Sequence, residues 1–137
     1  MKVIIKDLQR RIKINPTKIR KIAHSISRPP KFCDLELRLY FVNNKLIKKL
    51  NRQFFKKNRL TDVISFCIEK DYAEVFIAPC VIRENAQKFK VEFNDELYRC
   101  VIHGILHIFG FTDKSNKHRA KMWNKQERIL KTLVKKK

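Results

Sequence analysis

The sequence has only two glycines and four prolines among 137 residues, so most turns must be made by Asn, Asp and Ser. Both glycines, Gly104 and Gly110, lie in one short segment, VIHGILHIFGF, which spans residues 101–111. Glycine is the usual residue where a backbone turns sharply or approaches another backbone closely. The chain also lacks internal repeats, low-complexity linkers and shifts in composition. We therefore expect residues 1–137 to form one domain.

Long hydrophobic runs are absent as well. The longest apolar stretches, such as VFIAPCVI at residues 75–82, are far too short to cross a bilayer. The first residues, MKVIIKDLQRRIKI, lack the apolar core and small-residue cleavage site of a signal peptide. Hydrophobic residues nevertheless make up 44% of the chain, which is enough for a folded core. We expect a folded protein of the cytoplasm.

Acidic residues are scarce. The chain has 13 of them against 33 basic residues, which gives a formal net charge of +20. A field of this sign favours a polyanionic partner, with nucleic acid ahead of an anionic membrane surface. A competing explanation is a genome rich in A and T, because Lys, Asn, Ile and Phe are all abundant. The charge alone leaves both explanations open.

Closely spaced cysteines are missing too. The chain has four scattered cysteines and no CxxC pair, and Cys67 and Cys80 lie in strongly apolar surroundings. This pattern is typical of buried, reduced thiols in a reducing compartment.

Hydrophobic periodicity and turn residues predict interspersed strands and helices. The predicted strands cover residues 2–7, 35–42, 59–68 and 73–79. The predicted helices cover residues 16–26, 79–90, 95–109 and 117–135, and a further helix begins at residue 44. Interspersed elements of this kind favour an α+β domain with a small mixed sheet of about four strands, packed with helices.

Two histidines stand one helical turn apart in the glycine-containing segment. Residues at this spacing leave the same face of a helix, so the imidazoles of His103 and His107 can bind one metal ion. Gly110 ends the helix, and the following turn can bring Asp113 back to the same ion. Two imidazoles and one carboxylate leave a tetrahedral zinc with one open position, which is typical of catalytic zinc. We expect one Zn²⁺ at this helix end and turn.

Other interpretations of this segment remain open. A histidine on an apolar helix is often a hydrogen-bonded core residue and no ligand at all. His118 and Cys100 compete with Asp113 for the third ligand position, and we rank them second and third. A zinc peptidase of the HExxH type ranks far behind, because Gly104 occupies the position of the glutamate that acts as general base.

The segment HGILHIFGF and the following Asp113 resemble the HGxLHLxGYDH signature of the YbeY family of bacterial metal-dependent endoribonucleases. His103 and His107 match the first two histidines, and Asp113 stands where the family has a third. RLTDVISF at 59–66 is similar to the family's RPTDVLSF, and AEVFIA at 73–78 to its GDIVIS. The resemblance implies helices around a four-stranded sheet with a metal in a cleft.

The resemblance also assigns a functional role to Arg59, which precedes the TDV triplet. A guanidinium offers planar donors to phosphate oxygens and can offset the charge of a phosphodiester transition state. Lys56 and Lys57 precede it in the chain, so we expect RNA contacts from all three side chains. We expect Phe54 and Phe55 to be core residues more than stacking platforms.

The function implied by the resemblance is single-strand-specific, zinc-dependent endoribonuclease activity in ribosomal RNA maturation, including 16S rRNA 3′-end processing, and in ribosome quality control. The implied partners are single-stranded regions of rRNA and ribosomal proteins, with no membrane and no small-molecule cofactor. The alternative is a non-catalytic RNA-binding factor of ribosome assembly whose metal is structural.

Overall fold

The computed structural model describes residues 1–135. The strands are β1 (Lys2–Asp7), β2 (Glu36–Phe41), β3 (Val63–Glu69) and β4 (Tyr72–Ile77). The helices are α1 (Pro16–Ser25), α2 (Asn44–Phe55), α3 (Pro79–Phe89), α4 (Phe93–Ile108) and α5 (Asn116–Lys135). A short 3₁₀ helix covers Pro30–Phe32. The predicted α+β class is confirmed.

The four strands form one mixed sheet in the order β1-β2-β4-β3. β1, β2 and β4 are parallel, and β3 pairs antiparallel with β4 at the edge. Side chains of a strand alternate between the two faces of a sheet. Leu37 and Leu39 of β2 and Val75 of β4 therefore point to one face, and all three are fully buried.

The core divides between the two faces of the sheet. On one face, α1, α4 and α5 contribute to a large cluster in which Val101, Ile105 and Leu106 of α4 have no exposed surface. On the other face, Ile47 of α2 packs in a smaller cluster that includes Ile64 of β3. α4 packs against α1, α3, α5, β3 and β4, so it is the central helix of the fold. The histidine pair therefore stands on a largely buried element.

Several element boundaries differ from those predicted. β3 begins at Val63 instead of residue 59, because residues 56–62 form a loop after α2. Asn43 caps α2 by accepting a hydrogen bond from the Leu46 N–H.

Across residues 1–135, no helix combines the length and the apolar character needed to span a bilayer.

The four cysteines are free thiols, but the prediction that they are buried holds for Cys100 alone. Cys33 and Cys67 are exposed, and Cys80 is half-buried. Cys67 follows the half-buried Phe66 near the end of the edge strand β3, where fewer neighbours cover the sheet. An apolar stretch in the sequence therefore did not guarantee a buried thiol.

Candidate metal centre

Gly104 lets α4 lie unusually close to the sheet. A Cβ atom at this position would lie 2.7 Å from Val75 Cγ1 and 3.0 Å from Val63 Cγ2. The Ser65 hydroxyl donates a hydrogen bond of 2.8 Å to the Gly104 carbonyl oxygen, which ties the helix to β3. The glycine is therefore a packing requirement that holds the neighbouring His103 near the edge of the sheet.

Gly110 ends α4 as the sequence predicts. Its φ angle is +103°, a left-handed conformation that strains any residue with a Cβ atom. The Gly110 N–H donates to the His107 carbonyl oxygen at 3.2 Å, and the Phe111 N–H donates to the Leu106 carbonyl oxygen at 3.0 Å. These bonds satisfy the last carbonyls of the helix and reverse the chain. The turn brings residues 111–113 back alongside His107.

The two imidazoles converge. Nε2 of His103 lies 3.0 Å from Nε2 of His107. Nδ1 of His107 donates to the Phe111 carbonyl oxygen at 3.1 Å, and Nδ1 of His103 donates to Gln126 Oε1 at 2.7 Å. A neutral imidazole that carries its proton on Nδ1 has a lone pair on Nε2. Two lone pairs therefore face each other across a short gap, and a shared cation would relieve their repulsion.

This geometry fits a divalent metal ion. Two nitrogen atoms bound to one tetrahedral zinc ion lie about 3.3 Å apart. The Nε2 atoms of His103 and His107 are 3.0 Å apart, which is close to that value. Burial lowers the pKa of His107, and the charge of the neighbouring His103 lowers it further. A lowered pKa favours the neutral imidazole, which is the form that binds metals. The residues present therefore fit a zinc ion through two nitrogen ligands.

His103 and His107 line a cavity of about 550 Å³. This volume lies in the range of about 300–1,000 Å³ that is usual for small-ligand sites. The lining includes His103, His107, Asp113, Phe55, Lys57 and Asp62. Asp113 is exposed and lines the same cavity. However, within the described part of the chain no three His, Cys, Asp or Glu side chains are grouped closely enough to hold an ion.

The two other candidates for the third ligand are engaged elsewhere. His118 is exposed at the start of α5, where its Nδ1 lies 2.6 Å from the Ser115 hydroxyl. Cys100 is buried, and its thiol donates to Asp62 Oδ2 at 3.5 Å. Burial raises the pKa of Cys100 well above its usual value, and the charge of Asp62 raises it further. The neutral thiol is a poor zinc ligand, because thiolate is the form that binds.

The loop after α2 carries the predicted RNA-binding side chains. Lys57 lines the cavity, whereas the exposed side chain of Arg59 lies outside its lining. The amide of the buried Asn51 donates to the Arg59 carbonyl oxygen at 3.1 Å and fixes the loop. Lys56 ends α2 with a φ angle of 56°. The structure thus places Lys57 in the cavity and holds Arg59 on the same loop.

Sequence reasoning missed Gln126, which orients His103. Gln126 is 2% exposed, and it stands four residues from each of the buried residues Met122 and Leu130. A polar residue within the apolar stripe of α5 was the signal that could have found it. The expectation that Phe54 and Phe55 belong to the core is wrong, since they are 56% and 48% exposed.

Asp62 stands directly before β3 and contacts two other elements. Its carboxylate accepts a hydrogen bond from the Cys100 thiol, and its backbone carbonyl accepts from the Ala78 N–H at 2.9 Å. Asp62 therefore links β3 to α4 and to the end of β4 while lining the cavity.

Comparison with known proteins gives consistent results. A sequence model described as Endoribonuclease YbeY matches residues 4–134. The chain is 37% identical over 100 residues to the Endoribonuclease YbeY of Thermotoga maritima, covering 71% of this chain and 67% of that protein. It is 33% identical over 113 residues to that of Endomicrobium trichonymphae, covering 81% and 80%, respectively. A solution structure from Thermotoga maritima matches with a TM-score of 0.66 at 28% identity, covering 98% of this chain and 90% of that one.

Proposed function

This chain belongs to the YbeY family of endoribonucleases, and we propose that it is a zinc-dependent endoribonuclease that cleaves single-stranded RNA. We propose further that residues 1–137 form one catalytic domain. The observation that carries the proposal is the convergence of the His103 and His107 Nε2 atoms, 3.0 Å apart, at a cavity that also contains Lys57. The net charge of +20 supports a polyanionic substrate.

His103 and His107 would hold the zinc ion, with Asp113 as the third ligand. When bound, the ion supplies Lewis-acid activation of water for phosphodiester cleavage. The hydrogen bonds to Gln126 and Phe111 keep both imidazoles in the tautomer that presents Nε2 to the cavity. These contacts orient the ligands before a metal arrives, so little reorganisation is needed on binding.

Two basic residues would bind the RNA backbone. Lys57 lines the cavity, where its ammonium can contact a phosphate next to the histidines. Arg59, on the loop anchored by Asn51, would contact the same phosphate and stabilise the negative charge that develops during cleavage. Lys56 extends this basic loop along the nucleic acid. The proposed catalytic role therefore falls to Arg59, and backbone binding to all three.

The proposed substrate is ribosomal RNA, with a role in its maturation, including 16S rRNA 3′-end processing, and in ribosome quality control in the cytoplasm. The resemblance of HGILHIFGF and RLTDVISF to the family signatures supports this assignment. Ribosomal proteins are then the expected protein partners. The rival function, a non-catalytic RNA-binding factor, requires a structural metal. A structural zinc usually has four protein ligands in a closed site, which the open cavity does not resemble.

The test uses the purified full chain, zinc and a labelled single-stranded RNA. We expect wild type to cleave it, and expect His103→Ala and Arg59→Ala to reduce cleavage at least about a hundredfold without unfolding. Arg83→Ala is the matched control, since Arg83 is an exposed arginine on α3. RNA binding without cleavage under any metal supports the rival function. Cleavage by His103→Ala at the wild-type rate refutes the proposed site.

A further inference from the structure

Phe55 presents an aromatic ring to the cavity that contains the histidines. It is 48% exposed and lines the cavity together with His103 and Lys57. Its ring stacks on that of Phe66, with centroids 6.0 Å apart and planes at 19°. Phe66 therefore packs against one side of the ring. The remaining surface is available to a planar ligand.

Trp123 borders the same histidine from a different helix. It lies on α5 and is 54% exposed. It lines a cavity of about 180 Å³ together with His103, Asp113 and Arg119. It also lines a cavity of about 170 Å³ that includes His103 and Cys100. His103 thus shares one cavity with an exposed phenylalanine from α2 and two cavities with an exposed tryptophan from α5.

Each aromatic residue has a cation beside it. Lys57 lines the cavity with Phe55, and Arg119 lines a cavity with Trp123. Alternating cations and exposed aromatic rings are the usual features of surfaces that bind single-stranded nucleic acid, where bases stack on rings and phosphates contact cations. Double-stranded RNA offers no free base faces for such stacking. The arrangement of these residues in the cavities that include His103 therefore favours an unpaired strand.

We propose that Phe55 and Trp123 are base-stacking residues, which hold the nucleotides on either side of the phosphate that lies at the histidine pair. The inference rests on the proposed endoribonuclease function and adds to it a recognition mechanism. Stacking is largely indifferent to base identity, because every base has an aromatic face. The enzyme then selects single-stranded regions through the accessibility of bases, with little dependence on sequence.

Trp123 provides a direct readout, because it is the only tryptophan in the chain. The probe is a six-nucleotide 2′-O-methyl oligoadenylate, and its control is an oligomer of the same length whose bases are replaced by abasic units. We expect saturable quenching of Trp123 fluorescence by the oligoadenylate and no comparable quenching by the abasic oligomer. Equal quenching by the two oligomers would show that backbone contact alone causes it, and would overturn the assignment of Trp123.

The contribution of each ring is measured as the affinity for the labelled oligoadenylate. We expect Phe55→Leu and Trp123→Leu each to weaken binding about ten- to a hundredfold. Leucine keeps an apolar side chain against Phe66 in the first variant. The matched control is Phe89→Leu, because Phe89 is 61% exposed on α3 and should leave affinity unchanged.

The possible results separate this inference from the function on which it rests. If wild type cleaves RNA and both leucine variants bind the oligoadenylate with wild-type affinity, the stacking assignment is wrong and the endoribonuclease function stands. The exposed rings would then serve another partner, such as a protein. If wild type neither cleaves single-stranded RNA nor binds the oligoadenylate, both the function and the inference fail.

Discussion

Gln126 Oε1 accepts a hydrogen bond from Nδ1 of His103 over 2.7 Å, and this contact joins α5 to the histidine face of α4. The Gln126 amide nitrogen donates to Glu127 Oε2 at 3.2 Å, so the amide oxygen faces the imidazole. Glu127 is held by Arg99, whose Nε donates to the same oxygen at 2.9 Å. A chain of polar contacts therefore fixes the tautomer and the orientation of His103.

Replacing Gln126 should weaken zinc binding. Gln126→Leu removes the acceptor for the His103 Nδ1 proton, and we expect a loss of about ten- to a hundredfold in zinc affinity. Gln126→Glu supplies a carboxylate acceptor and should restore most of that loss. Competition with a chelator of known affinity measures both effects. If the leucine variant binds zinc as tightly as wild type, Gln126 has no positioning role.

The third ligand can be identified by substitution. Asp113 shares the histidine cavity, whereas the Cys100 thiol is bound to Asp62 and His118 is paired with Ser115. Asp113→Ala should therefore lower zinc affinity, and His118→Ala and Cys100→Ala should leave it unchanged. Zinc content after dialysis against a weak chelator compares the three variants. Retention of zinc by Asp113→Ala together with its loss in either other variant would reassign the ligand.

Gly104→Ala should destabilise the fold. Its Cβ would lie 2.7 Å from Val75 Cγ1, and overpacking of this kind costs about 1–3 kcal/mol. The helix propensity of alanine offsets about 1 kcal/mol, so the free energy of unfolding should fall by up to about 2 kcal/mol. Urea unfolding measures the change.

The double variant Gly104→Ala, Val75→Ala tests the cause of this loss. Removing the Val75 methyl groups should make the added Cβ less costly, so the two substitutions should couple favourably. Gly110→Ala is the control, because its cost comes from the φ angle of +103° and no atom lies within 4 Å of its Cβ. Its cost should not depend on Val75. Purely additive effects for Gly104 and Val75 would mean that contact between them is not responsible.

The free energy of unfolding at alkaline pH should depend on the buried thiol of Cys100. Burial raises the pKa of Cys100 above the usual value of 9.0, so the unfolded chain loses this proton at a lower pH than the folded protein does. The contribution of the protonated Cys100 thiol to stability is complete below the pKa of this thiol in the unfolded chain. It is lost as pH rises through the pKa of the thiol in the folded protein. Stability should therefore fall above pH 9.0, and less steeply in Cys100→Ser. Parallel stability curves for the two proteins would contradict the raised pKa.

Salt should weaken RNA binding strongly. Each phosphate contact on a single strand contributes about −0.7 to the log–log slope of affinity against salt, so three contacts from Lys56, Lys57 and Arg59 give about −2. Lys57→Ala should make the slope shallower by about 0.7. Lys21→Ala, an exposed lysine on α1, serves as the control and should leave the slope unchanged. A flat response in wild type would indicate that the net charge of +20 reflects genome composition.

Much of the fold and part of the site follow from local sequence. Periodicity and turn residues predicted every strand and every α-helix of the described residues, because the spacing of apolar residues is a direct consequence of backbone geometry. The short 3₁₀ helix Pro30–Phe32 was not predicted. The start of β3 was misplaced, because residues 59–62 run directly into the apolar strand in the sequence, whereas the structure places them in a loop. In that loop the Asn51 amide donates to the Arg59 carbonyl oxygen, and a contact across eight residues has no signature in the sequence.

The sequence by itself determined that His103 and His107 share a helix face and that Gly110 turns the chain after them, because helical spacing and a left-handed φ are local properties. Only the tertiary structure decided which groups surround that face. Gln126 reaches His103 across 23 residues of chain, and Phe55 and Trp123 remain exposed where their apolar character predicts burial. These features depend on how α2, α4 and α5 pack around the sheet, and packing joins residues that are distant in sequence.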